Sequence, residues 1–401
     1  MDLSKQDIKV YIITKQPFPQ GMAATKRILC YAKGLVSNHM NCNIIITKRT
    51  EISTSYKNRS PKGVFENVQY QYIPTSTLRS NNFIKRRIDD FLTYWSTIFF
   101  CITKISSKDY MHLFLPFGWT YITILILSKL KGIKITRELC EYPCATRNDS
   151  LYNRIMRQID LRICFPAFTG FIVISNELEK VAKQYGASRA SIIKIPILID
   201  DNANKEMYIH NKPYIFHGGT MYERKDAIIS TMNAFAMAAK KMNYSIDFIL
   251  IGPPSPHQKE LNKIIKENHL ENNVIFKGQL SNQEVIRYQN GASLSILNKN
   301  DNIQNRCGFS TKLGEILMSR TPVITTTIGE ANYYLKNGES AYIVEPHHPE
   351  LIAQKIIQAF TNNKERVYIG ENGYRIAIKY FNYTYQGKRF KEYILNLESN
   401  Q

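Results

Sequence analysis

Apolar residues run along the first half of this chain in short blocks: Val10 to Ile13, Asn43 to Ile46, Val68 to Ile73, Met111 to Leu115, Ile133 to Glu138 and Phe171 to Ile174. Between the blocks the apolar positions recur at helical spacing. This alternation predicts strands joined by helices, the βαβ rhythm of a parallel sheet covered on its faces. The segment from Pro196 to Pro213 breaks the pattern, being rich in Asp, Asn and Lys with Pro at both ends, and predicts a linker. The rhythm then restarts with Tyr214 to His217, Ile246 to Ile251, Val274 to Phe276, Leu294 to Leu297, Val323 to Thr325 and Tyr342 to Val344, a second parallel sheet. Ser281 and Glu284 form a capping-box pattern ahead of a helix that Gly291 ends. The expected division is a domain over 1–196, a linker over 197–212, a second domain over 213–383 and a last helix over 384–401, with apolar periodicity from Thr384 to Leu397. The apolar stretch Thr120 to Leu130 is too short for the roughly 18 to 20 residues of a membrane span and predicts a buried core helix.

The stretch from Gly308 to Glu330 carries the densest chemical signal. Gly308, Ser310 and Thr311 precede an apolar-periodic run at Leu313, Ile316 and Leu317, as a helix entrance does. Free backbone N–H groups there favour an anion, and Lys312 in the first turn opposes the positive helix end unless a phosphate offsets its charge. Glu315 lies one turn further in, where a carboxylate can accept hydrogen bonds from a ribose diol. Thr321 and Pro322 then break the helix before the strand at Val323. An ordinary α/β crossover with a polar cap fits this segment as well.

GFSTKLGEIL followed by PVITTTIGE resembles the donor-site signature of GT-B glycosyltransferases of the large retaining family 4 type. His217 to Ala238 is similar to that family's first C-domain strand, glycine loop and long helix, and Pro17 to Leu35 to its N-domain glycine loop and first helix. Ile135 to Pro143 and Phe171 to Lys180 resemble two further N-domain strand ends. The resemblance implies two facing Rossmann-like domains, a last helix crossing back to the first domain, and a donor and an acceptor meeting between the sheets' carboxyl ends. It also implies a nucleotide-sugar donor bound by the second domain and no metal or other cofactor. Lys225 matches the family's phosphate-binding lysine, with Arg224 beside it and Gly219 and Thr220 forming the loop. Ser310, Thr311, Lys312 and Glu315 complete the donor side. Two departures stand out: Thr220 occupies a position where an arginine is common, and Cys307 the earlier of two glutamates eight positions apart, with Asp301 nearby as a weak substitute. On the first domain, Gly21 would bring backbone close to the reacting centre through conformations other residues avoid. Glu138 and Glu141 would orient acceptor or donor, or else be surface carboxylates at a strand end.

Composition adds one outlier. The 401 residues hold 53 basic and 33 acidic side chains, a net charge of +20, so anionic partners are expected. No zinc finger, RNP-like aromatic motif or basic zipper accompanies that charge, so nucleic acid is not an expected partner. The seven cysteines are odd in number and scattered; Cys140 and Cys144 lack a second half of a metal site and read as buried thiols in a reducing cytoplasm.

Lys85, Arg86 and Arg87 precede an aromatic run containing Phe91, Tyr94, Trp95, Phe99 and Phe100, and Arg154, Arg157 and Arg162 punctuate a second apolar segment. Basic residues beside aromatic ones suit an anionic bilayer at the cytoplasmic face. The run Phe91 to Phe100 is nevertheless expected in the core. The combined expectation is a hexosyltransferase extending a cell-surface polysaccharide or lipopolysaccharide glycan, free or lipid-linked. A nucleotide-sugar epimerase and a non-catalytic sugar-nucleotide or glycan binder are the alternatives.

Overall fold

The computed structural model describes residues 8–143, 150–200 and 206–399; Cys144 lies outside them. The chain divides into two compact units, one formed by Met1–Leu198 with Tyr383–Gln401 and the other by Ile199–Asn382.

The first unit holds strands β1 (Lys9–Thr14), β2 (Asn41–Ile46), β3 (Lys62–Phe65), β4 (Val68–Tyr72), β5 (Tyr110–Phe114), β6 (Lys134–Leu139), β7 (Gly170–Val173) and β8 (Ser191–Lys194). They form one sheet in the order β3-β4-β2-β1-β5-β6-β7-β8. All neighbours are parallel except β3 and β4, an antiparallel edge pair. β1 is buried from Val10 to Thr14, as expected of a central strand covered on both faces. The last helix, Tyr383–Ser399, packs on the helix Ala23–Ser37, and Phe390, Ile394 and Leu397 enter the core beside Tyr31 and Tyr110. Its crossing point is Gly34 against Gly387, where a Cβ on either would overlap the other helix's backbone.

The second unit holds β9 (Tyr214–Gly218), β10 (Asp247–Ile251), β11 (Val274–Gly278), β12 (Leu294–Leu297), β13 (Val323–Thr326) and β14 (Tyr342–Val344). Their order is β11-β10-β9-β12-β13-β14, parallel throughout. Strand order reverses direction at β9 and β12, and the carboxyl end of such a switch point is where open α/β sheets bind ligands. The capping box forms, with Ser281 accepting from the Glu284 N–H and Glu284 accepting from the Ser281 N–H. Residues 206–212 pack on this unit: Tyr208 lies against Tyr288, and His210 reaches Asp247 at 2.7 Å.

Two expectations change. The helix Trp119–Lys131 buries Ile124 and Leu125 but exposes Ile126 and Leu130, so it is a half-covered helix and not a core one. The run Phe91 to Phe100 lies on the helix Phe83–Lys104, whose buried residues are Thr93, Thr97 and Cys101, while Phe91, Trp95 and Phe99 are 61%, 54% and 69% exposed. Phe91, Trp95 and Phe99 thus face outward, while Tyr94 and Phe100 are half-buried, Phe100 against Tyr11 of β1, and only Thr93, Thr97 and Cys101 are fully buried. Among the described residues no helix is long and apolar enough to cross a membrane.

Candidate functional site

In the second unit β9 ends at Gly218 and runs into Gly219, and its neighbour β10 ends at Ile251 and runs into Gly252. Gly219 and Gly252 have φ of 144° and 155°, values that L side chains rarely adopt. A Cβ on Gly252 would overlap the Gly219 carbonyl oxygen, and a Cβ on Gly219 would overlap the Lys312 ammonium. The glycines thus leave a bare backbone cradle at the switch point, and Lys312 sits against it.

Lys312 is held there by the helix Thr311–Met318, whose cap residue Ser310 makes no side-chain capping bond and whose first turn carries no acidic residue. Nothing in that turn competes for an anion. Lys312 and Glu315 line a cavity of about 190 Å³ together with Gly218, Gly219, Gln279 and Gln289, several times the ~30 Å³ that a water occupies. Leu280, Val285 and Ile316 give it an apolar wall.

The charge balance around Lys312 is unusual for a surface loop. Burial lowers its pKa to about 8, with Asp226 acting in the opposite direction and Lys299 and Lys225 adding to the lowering. Lys299 pairs with the buried Asp226 at 2.7 Å. Burial opposes ionisation of Asp226, yet Lys299 and Lys312 hold its carboxyl well below the usual range. Burial, reinforced by Lys312, lowers His217 to about 4, so its imidazole is neutral. Its Nδ1 lies 3.3 Å from the Ile296 carbonyl, and its Nε2 meets no partner among the described residues. Two lysines and one aspartate thus leave a net positive centre beside the glycine cradle.

Arg224 and Lys225 stand at the edge of this centre with exposed side chains. Their backbone is fixed: Asn302 donates to the Arg224 carbonyl at 2.8 Å, and Lys299 and Asn305 donate to the Lys225 carbonyl at 3.2 and 3.3 Å. Thr220 turns its hydroxyl toward Asp226 at 3.4 Å. Cys307 is buried at the end of the short helix Ile303–Cys307, and Asp301 is engaged by Arg306, whose Nη2 lies 2.7 Å away. Sequence reasoning passed over Lys299 and Asp226. The signal was a lysine two residues past the end of β12, after Asn298, at the edge where ligands bind.

In the first unit, Gly21 has a φ outside the left-handed region, so conformational freedom is not what requires it there. A Cβ would instead overlap the Thr25 hydroxyl, which donates to the Pro17 carbonyl at 2.7 Å and closes the loop. Glu138 and Glu141 part company. Glu141 is exposed, whereas Glu138 is buried at the end of β6 and is no surface carboxylate. It accepts from Arg27 Nε at 2.8 Å, Tyr31 at 3.2 Å and the Cys140 thiol at 2.9 Å, and lies 3.0 Å from His112 Nε2. Burial opposes its charge, but Arg27 and then His112 hold its pKa at about 2. Such a carboxylate fixes its neighbours in place and is poorly suited to taking up a proton.

Known proteins share this layout. Residues 200–376 match the family model described as glycosyl transferases group 1. That match falls within the second unit. Over the whole chain the fold is GT-B. Sucrose-phosphate synthase from Thermosynechococcus elongatus superposes with a TM-score of 0.72, at 12% identity, over 98% of this chain and 100% of that one. Anabaena HepE in complex with UDP superposes with a TM-score of 0.71, at 14% identity, over 97% and 100%. An uncharacterized glycosyltransferase of Methanocaldococcus jannaschii is 24% identical over 189 residues, which is 46% of this chain and 49% of that protein's length. The chain therefore aligns with about half of that relative.

Proposed function

We propose that the protein is a glycosyltransferase that moves a hexose-type sugar, with retention, from a nucleoside diphosphate to a growing cell-surface glycan, free or lipid-linked, at the cytoplasmic face of the membrane. The observation that carries this reading is the Lys312 ammonium set against the Gly219–Gly252 cradle at an uncapped helix start, with Glu315 in the same cavity. A leaving diphosphate gathers negative charge as the glycosidic bond breaks, and preorganised cations and N–H groups lower that barrier. Lys312 supplies the nearest charge, Lys299 a second one tied to Asp226, and Arg224 and Lys225 an exposed rim. These lysines fill the part a metal ion plays elsewhere, so the reading requires none. Glu315 would accept from the ribose hydroxyls, and the departing phosphate itself would help deprotonate the acceptor. HepE, solved with UDP, supports a uridine donor as the first to test.

The buried Cys307, in place of a carboxylate, favours a second reading, a non-catalytic binder of sugar nucleotides. Incubation with UDP-, GDP- and ADP-sugars, with and without glycan acceptors, separates the two. Acceptor-dependent release of the nucleoside diphosphate supports the transferase; saturable binding with no release under any combination supports the binder.

A further inference from the structure

The helix Phe83–Lys104 is polarised the wrong way for a helix of a water-soluble domain. Its buried positions are Thr93, Thr97 and Cys101. Ile84, Ile88, Phe91, Trp95, Phe99 and Ile102, spaced at three and four residues, are all about half exposed or more. At 1.5 Å per residue this stripe runs on the order of 30 Å, far beyond the scattered single apolar residues of an ordinary surface. The neighbouring helix Trp119–Lys131, tied to it by a 2.7 Å hydrogen bond between Tyr94 and Thr123, has its own exposed stripe at Trp119, Ile126 and Leu130. A third helix of the same unit, Leu151–Ile159, buries no residue at all and exposes Leu151, Tyr152 and Ile155.

Charge selects what covers this surface. Lys85, Arg86 and Arg87 stand at the start of the first helix, the two arginines 5.5 and 5.1 Å from the exposed Phe83 ring. Of the two acids in the first half of this helix, Asp89 is paired with Arg49 at 3.1 Å, which leaves three basic side chains against the exposed Asp90. Arg154 lies beside Ile155 on the third helix. A second copy of a chain carrying +20 would bring like charges together, whereas an anionic lipid surface complements them. Helices with an apolar face and a basic flank lie in the plane of a bilayer. Both the first and the third helix follow a strand, so each starts at the sheet's carboxyl edge, on which Glu138 and Glu141 also stand.

We propose that the helix Phe83–Lys104, with the exposed stripe of Trp119–Lys131, is a docking face for an anionic bilayer, holding the acceptor edge of the first unit at the lipid surface. This deepens the lipid-linked acceptor of the proposed function, but the docking itself does not depend on the donor chemistry.

Both tryptophans of the chain, Trp95 and Trp119, are on this face and 54% and 80% exposed, so intrinsic fluorescence reads it directly. The full-length protein is mixed with vesicles of phosphatidylcholine alone or containing phosphatidylglycerol and followed by emission and flotation. Anionic vesicles should shift the emission to shorter wavelength and float the protein, and neutral ones should do so weakly. Phe91→Ser with Phe99→Ser, both at exposed positions and so compatible with folding, should abolish both effects. Lys85→Glu with Arg86→Glu and Arg87→Glu should weaken partitioning by about a hundredfold or more. Equal binding to both vesicle types, or no effect of the serine pair, would overturn the proposal. So would a dimer in solution that ignores vesicles and dissociates in the serine pair, which would make the face a subunit interface. Nucleoside diphosphate titration of the same samples reads the donor site separately, so the two readings fail independently.

Discussion

Replacing Glu138 by Gln keeps the side chain's shape and removes its charge from a site where Arg27 and Glu138 are each only 3% exposed. Arg27 would keep its bonds to the Pro196 and Ile195 carbonyls, 2.5 and 2.8 Å, but would lose its only carboxylate partner among the described residues. Two routes size the effect. Breaking a buried ion pair from one side costs about 3–5 kcal/mol. The gap between an ordinary carboxyl at 4.5 and one held at about 2, at ~1.36 kcal/mol for each pH unit, gives about 3 kcal/mol. Because the pKa is depressed on folding, this stability is fully present above about pH 4.5 and is lost as pH falls toward 2. The difference between wild type and variant should therefore close across that window. Two units can melt separately, so a whole-molecule transition would blur the answer. Hydrogen exchange of β1 and β6 amides at increasing urea reads the opening energy of the first unit alone. A loss below about 1 kcal/mol at neutral pH, as for an exposed pair, would refute the reasoning.

Diphosphate binding should weaken as pH rises through about 8, because the half-buried Lys312 loses its proton there. At pH 9 about a tenth of the sites remain cationic, so the apparent Kd should rise about tenfold over its value near neutrality. Lys312→Arg should bind with a flat profile over the same range, measured by calorimetry. Gly252→Ala places a Cβ against the Gly219 carbonyl at a φ of 155°, so the second unit should lose ~1–3 kcal/mol of stability. That variant should also lose diphosphate binding, while exchange in the first unit's sheet stays unchanged.

How much of this was legible depended on whether a residue's signal was apolar or electrostatic. Strands such as β1 and β10 were readable because both faces are covered and the whole block is hydrophobic. β3 has no buried residue and pairs only with β4 at the sheet edge, and β8, half-buried throughout, has only Ile192 and Ile193 between Ser191 and Lys194, so neither shows the longer apolar block of a central strand. The helix Phe83–Lys104 shows a different limit. Its periodicity reveals two faces, but which one turns inward is decided by what the sheet offers it, and the aromatic run suggested the opposite answer. The glycine loop, Lys312 and Glu315 could be picked out by their place at a strand end and helix start. The Asp226–Lys299 pair joins residues 73 positions apart. Only folding shows that they meet, and spacing could not separate the exposed Lys225 from the half-buried Lys312.

The central claim is that the cradle of Gly219, Gly252 and Lys312 holds the diphosphate of a sugar donor. Isothermal titration of UDP, GDP and ADP into wild type, Lys312→Met and Glu315→Ala tests it most directly. Saturable binding of one nucleoside diphosphate is expected, lost or greatly weakened in Lys312→Met and reduced in Glu315→Ala, with both variants folded. Absence of binding by all three nucleotides to wild type, or binding that neither variant alters, would contradict it.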